Sequence, residues 1–122
     1  MYKTILVNDD IEHGRRLLVS LETMLHVTAA FWFHFDEEDQ WRLVVVSPDV
    51  SEKGPRELYT AISTLLNDLE NDPKTPLKFP FDRIMLVSPY SLLYKMVKQR
   101  SGPRTGPVRE GLSLDAYIYK MA

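Results

Sequence analysis

The sequence predicts an α+β fold, a mixed β-sheet with three helices, and three observations carry that prediction. Apolar residues recur at helical spacing in two separate segments, Leu17, Leu18, Leu21, Met24 and Leu25, then Leu58, Ala61, Ile62, Leu65 and Leu69. Between them, from Val27 to Ser47, the period changes to two aromatic and β-branched runs around Asp36-Glu37-Glu38-Asp39-Gln40, which predicts a hairpin with an acidic tip. Ile84-Met85-Leu86-Val87, bounded by Pro80 and Ser88-Pro89, reads as a short, fully buried strand. An antiparallel hairpin combined with crossover helices implies the mixed sheet.

Taken in order, Tyr2 to Val7 is expected as a first strand, and Asn8-Asp9-Asp10 supplies cap oxygens and negative charge to the first helix. That helix turns Glu12, Arg15, Arg16 and Glu22 to water. Gly14 inside it costs about 1 kcal/mol relative to alanine, which close packing against a strand or a second helix would explain.

In the hairpin, placing Phe35 opposite Trp41 sorts the side chains onto two faces by alternation. One face holds Ala29, Phe31, Phe33, Phe35, Trp41, Leu43 and Val45; the other holds Ala30, Trp32, His34, Arg42, Val44 and Val46. Both are apolar near the base, so the second is expected to pack on helices or on a second subunit.

The second helix starts at Pro55 and runs to about Glu70. Its end carries Asp68 and Glu70, with Asp72 beyond, the unfavourable sign for a helix C-terminus, which Lys74 and Lys78 are placed to offset. Pro73, Pro76 and Pro80 keep the next stretch extended. Ser88-Pro89 then gives cap and first turn to a third helix ending near Arg100, a Gly/Pro loop occupies residues 101–110, and Leu112 to Tyr119 forms the final strand.

The resulting order, βαββαβ with an added helix and strand, begins as the split-βαβ, ferredoxin-like arrangement. With residues 1–7 as an arm it becomes an αββαβαβ layered domain instead. Two strands end in Ser-Pro, at Ser47-Pro48 and Ser88-Pro89, where serine caps and proline fits a first turn.

At 122 residues the chain has the size of one domain, 1–122, and its 44% apolar content supports a folded core. Cysteine is absent, which removes disulfides, thiolate metal sites and Cys nucleophiles. The opening Ile5-Leu6-Val7 runs into Asn8-Asp9-Asp10, neither a secretory segment nor a span, so the expected setting is cytoplasmic and without a membrane partner. Charge is split along the chain: Tyr2 to Asp72 carries fourteen acidic and six basic residues, Pro73 to Ala122 three and nine. Such a split points to a charged partner, with nucleic acid the usual candidate for the basic half.

Within that half, Lys95, Lys98, Arg100, Arg104 and Arg109 follow one another without an acid, and Gly102-Pro103-Arg104-Thr105 is echoed by Gly106-Pro107-Val108-Arg109. Glycines permit close backbone approach and arginines present forked donors that match phosphate, although the G-x-x-x-x-G-K-[ST] pattern is missing. Lys95, Lys98 and Arg100 also complement the negative end of their own helix, so Arg104 and Arg109 carry the anion or nucleic-acid expectation.

His13, His26 and His34 lack metal-ligand spacing, and no metal or cofactor is expected. His34 opposite Arg42 reads as a cross-strand polar pair, and the RNA-recognition strand motif is absent. Asp36, Glu37, Glu38 and Asp39 crowd a solvated turn, the wrong setting for a raised pKa, and they lack calcium-loop spacing. Asp49, Glu52 and Lys53 lie too close along a loop to be a nuclease cluster. No G-x-S-x-G or S-x-x-K accompanies the serines.

Asn8-Asp9-Asp10-Ile11-Glu12-His13-Gly14-Arg15-Arg16, Trp41 to Pro48, Gly54-Pro55-Arg56 and Ala116-Tyr117-Ile118-Tyr119 together resemble an uncharacterised bacterial family of small single-domain proteins. The resemblance covers most of the chain from Asn8 onward and implies no activity, substrate or cofactor. The sequence therefore favours a non-enzymatic binding or assembly module. It would be a homodimer through Ala30, Trp32, His34, Arg42, Val44 and Val46, with weak nucleic-acid contact through the basic residues. The alternative is a hydrolase or nuclease-like enzyme on a phosphate-containing substrate, with Arg104 and Arg109 holding the anion.

Overall fold

A computed structural model describes residues 3–110 and 113–122, so Tyr2 and Leu112 of the expected terminal strands lie outside the described residues. Ala29–Phe35 (β1) and Gln40–Val46 (β2) form the expected antiparallel hairpin at the heart of a five-stranded mixed sheet. Ile84–Val87 (β3) adds to β2 in parallel, while Gly106–Glu110 (β4) and Ser113–Met121 (β5) extend the other side antiparallel, giving the order β3-β2-β1-β5-β4. The helices are Asn8–Leu21 (α1), the short Asp49–Lys53 (α2), Pro55–Glu70 (α3) and Leu92–Ser101 (α4). The α+β class and the mixed sheet stand as expected, with α2 and β4 added.

Residues 3–7 join no strand and form an arm, so the described chain begins with α1 rather than with a strand. The arm is tied down by polar bonds. Thr4 donates to Asp39 from its amide (2.9 Å) and from Oγ1 (2.6 Å), and Trp41 Nε1 donates to the Thr4 carbonyl at 2.8 Å. At the start of α1, Asp10 accepts the Val7 amide at 3.5 Å, while Asp9 and Asp10 put negative charge in the first turn.

The hairpin register differs by one residue from the expectation. Phe35 faces Gln40 and His34 faces Trp41, because the turn holds the four residues 36–39, with Asp39 in the left-handed region at φ 49°. A one-residue slip moves a whole strand to the opposite face. Ala30, Trp32, His34, Trp41, Leu43 and Val45 therefore share one face, and Phe31, Phe33, Phe35, Arg42, Val44 and Val46 the other. The first face packs beneath α1 and α3 through Leu17, Leu21, Leu58 and Ile62; the second packs beneath α4 through Tyr94 and Val97. Each fully buried Val, Leu, Ile or Phe side chain contributes about 1.5–3 kcal/mol, and both layers hold several.

Gly14 is explained by this packing. A Cβ built there would lie 2.4 Å from Tyr119 Oη and 2.8 Å from Trp32 Nε1. Trp32 Nε1 donates to Tyr119 Oη (2.7 Å), which in turn donates to the Ile11 carbonyl (2.6 Å), bolting α1 to the sheet.

The Ser-Pro pair meets local needs only. Ser47 Oγ accepts the Asp49 amide and Ser88 Oγ the Tyr90 amide, at 3.1 and 3.2 Å. The second starts a turn, and α4 begins later, at Leu92. After α3, Asp72 accepts the amides of Lys74 and Thr75, and the last turn of that helix contains no base.

Candidate anion site

The charge split along the chain becomes in part a split in space, although Arg83 of the basic part lies over Trp32 and pairs with Asp10 on the α1 side. Acid-bearing α1 and α3 cover one face of the sheet, while α4, with Lys95, Lys98 and Arg100 and no acid, covers the other. Past the end of α4, Gly102 at φ 62° and Gly106 at φ 96° both adopt backbone conformations that side chains resist, and between them the chain turns back into β4. The expected loop 101–110 is thus a loop only in its first half. Its second half is an edge strand.

This turn brings Arg100, Ser101, Arg104, Thr105 and Arg109 around one pocket of about 200 Å³. Arg104 and Arg109 are exposed and have no acidic partner among the described residues. Arg109 also lines a second pocket of about 350 Å³ with Lys3 and Trp41. Lys95 and Lys98 lie outside the pocket on the exposed side of α4, with Lys98 Nζ 5.6 Å from the Tyr94 ring centroid.

Two residues that sequence reasoning missed complete the site. Val108 faces Ala116 and Arg109 faces Leu114, so Asp115 is the extra residue of a β-bulge, a device that re-aims a side chain. Its carboxylate takes Lys3 at 2.9 Å on one oxygen and Arg100 at 3.1 Å on the other. Burial works to raise the Asp115 pKa, and the hydrogen bonds from Lys3 and Arg100 outweigh it, leaving the carboxyl below its ordinary value. Lys3 and Arg100 are thus held by Asp115, while Arg104 and Arg109, which share the pocket with Arg100, are the cations placed to take a bound anion. Lys3 is separated from Asp115 by most of the chain, and no sequence pattern joins them.

The six residues expected to share one assembly face divide between the two faces of the sheet. Ala30, Trp32 and His34 lie under α1 and α3, whereas Val44, Val46 and Arg42 belong to the α4 side. Ala30, Trp32, Val44 and Val46 are completely buried by the chain itself. Arg42 lies over the Phe35 ring and reaches Gln40 Oε1 at 3.3 Å, not His34, and its Nε is buried without a hydrogen-bond partner among the described residues.

At the hairpin tip, His34 Nδ1 meets Asp36 and His34 Nε2 meets Asp39, each at 2.7 Å. The hydrogen bonds from Thr4, then that from His34, lower the Asp39 pKa to about 2. A carboxylate held so firmly ionised is unsuited to act as a general base near neutrality. Among the described residues no group of three His, Asp or Glu side chains is arranged to hold a metal ion, and no helix is long and apolar enough to cross a membrane.

No family model, curated protein or solved structure matches the chain, so the resemblance to a bacterial family gains no support and the site rests on its own geometry.

Proposed function

We propose that the chain is a small non-enzymatic binding module that takes phosphate groups at the pocket between α4 and β4, with nucleic acid as the polymer presenting them, in a cytoplasmic setting. The observation that carries this reading is the convergence of Arg100, Arg104 and Arg109 on one small pocket, two of them without an acidic partner among the described residues. Arginine forks match phosphate oxygens two at a time. The pocket has room for several waters at about 30 Å³ each, and hence for one oxyanion with part of its hydration shell.

A hydrolase would need a base or nucleophile beside the arginines. Asp115 has both oxygens committed to cations, and Ser101 Oγ donates to the Gly102 carbonyl at 3.0 Å. The other hydroxyl of the pocket, that of Thr105, has no carboxylate or histidine beside it in the pocket lining among the described residues. The enzymatic reading therefore ranks below binding. Self-association loses the support it drew from the hairpin face, and the pocket is built from one copy.

Fluorescence anisotropy with a labelled oligonucleotide across a salt series tests the proposal. Binding should be weak, sequence-tolerant and steeply salt-dependent, because affinity comes from released counterions. Replacing Arg104 and Arg109 with alanine should lower the slope of log affinity against log salt by roughly one to two units, at about 0.7 to 0.9 per lost phosphate contact, with unchanged circular dichroism. An unchanged slope, or no binding at low salt, overturns it.

A further inference from the structure

The pocket lies at the end of a row of exposed side chains with a different chemistry. Leu92, Met96 and Arg100 are spaced four apart on α4 and therefore follow one another along a single line of the helix, the last of them lining the pocket. Leu92 is 82% exposed and Met96 43%, and Tyr90, in the turn just before the helix, is 77% exposed. Exposed Lys95 and Gln99 form the adjacent row. From Arg83 to Arg109 the sequence contains no acid, so this apolar row stands in a field of one sign.

Large apolar side chains held in water beside cations mark a contact surface, and the charge limits what covers it. A second copy docking α4 against α4 would oppose Lys95, Lys98 and Arg100 to themselves. Duplex nucleic acid offers phosphates but hides the faces of its bases, leaving Tyr90, Leu92 and Met96 with nothing to bury. A bilayer is flat, and would meet the protruding row without filling the recessed arginine pocket at its end.

We infer that the surface running from Tyr90 along α4 to the arginine pocket is a binding track for single-stranded nucleic acid. Bases lie on Tyr90, Leu92 and Met96, and phosphates on Lys95, Arg104 and Arg109. The track combines the two elements such surfaces use, a cationic path for the backbone and an aromatic and apolar platform for unpaired bases. α4 supplies about 15 Å of it, at roughly 1.5 Å per residue. The inference rests on the phosphate-binding reading above and narrows its ligand to unpaired strands.

The test compares a labelled oligothymidylate, the same strand annealed to its complement, and phosphatidylserine-containing vesicles, at one salt concentration and then over a salt series. The single strand should bind at least tenfold more tightly than the duplex. Tyr90→Ala should weaken single-strand binding about fivefold or more, the lower range for loss of a stacking side chain, and Leu92→Ser with Met96→Ser should weaken it similarly. Neither change should alter the salt slope, whereas Lys95→Ala should reduce it by about 0.7. All four side chains are exposed, and unchanged thermal melting shows that each variant folds.

Equal affinity for duplex and single strand, or Tyr90, Leu92 and Met96 variants that bind normally while the salt slope still depends on Arg104 and Arg109, overturns the track and leaves the phosphate site standing. Vesicle binding at lower protein concentration than oligonucleotide binding overturns the track in favour of a lipid surface. No binding to any nucleic acid overturns both readings.

Discussion

Gly14 is kept side-chain-free by Tyr119 and Trp32, whose polar atoms occupy the space a methyl group would need. Gly14→Ala should therefore destabilise the fold although alanine is the better helix former. Overpacking costs roughly 1–3 kcal/mol, and the helix propensity gained, about 1 kcal/mol, offsets only part of that. Denaturant unfolding measures the difference, and a more stable variant would show that the Tyr119 hydroxyl moves aside freely. Tyr119→Phe makes the complementary change, leaving the Trp32 indole N–H buried and unpaired at a cost of about 1–3 kcal/mol. Burial, working against the Trp32 hydrogen bond, pushes the Tyr119 pKa from 10.0 up to about 12. The unfolded chain thus loses this proton before the native one. The contribution is complete below pH 10 and is lost as pH rises toward 12, so stability should fall with pH more steeply in the native sequence than in Tyr119→Phe.

At the level of elements, the arm and the hairpin tip are held by the same carboxylate. Asp39 accepts both Thr4 bonds and faces His34, whose other nitrogen faces Asp36. Its pKa is lowered from 3.8 to about 2, so the stabilisation is present above pH 3.8 and is lost as pH falls toward 2. In that window tryptophan emission should report release of the Thr4 carbonyl from Trp41 Nε1. Asp39→Ala should already show the released spectrum at pH 5, and identical spectra for the two proteins from pH 5 to 2 would contradict the link. This bond network also marks where the sequence stopped being legible. The helices follow from apolar spacing, and the hairpin follows from its alternation. The register, however, turns on whether the loop holds four residues or five, which Asp39 decides by adopting positive φ. Likewise Gly106 and Pro107 read as loop residues, yet they pair with Ile118 and Tyr117 at the sheet edge, where a missing amide hydrogen is tolerated. Three arginines of the site stood out as an acid-free run. Lys3 and Asp115 did not, because a tertiary ion pair and a bulge leave no periodic trace.

For the molecule as a whole, a nearly balanced total of −2 offers little repulsion between copies, so it is buried apolar surface and guarded sheet edges that disfavour a fixed partner copy. Ala30, Trp32, Val44 and Val46, four of the six residues that suggested a dimer face, are consumed by the chain's own core. The sheet edges are also guarded. Tyr59 Oη accepts the Leu86 amide at 2.9 Å on β3, and Pro107 with exposed Arg109 occupies β4. Edge strands blunted by a covering side chain, a proline or a charge resist pairing with another chain. Attraction between the acidic layer of one molecule and the basic layer of another remains, but it acts between exposed charges, and near physiological salt it is screened over about 8 Å. Light scattering coupled to size exclusion at micromolar concentration should accordingly give the monomer mass of 14.2 kDa at physiological ionic strength. Any excess mass should appear only as salt is lowered and should vary with concentration. A constant mass of twice that value, insensitive to salt, would mean that an apolar surface such as the Leu92 and Met96 row pairs two copies, and would remove that row from the nucleic-acid track.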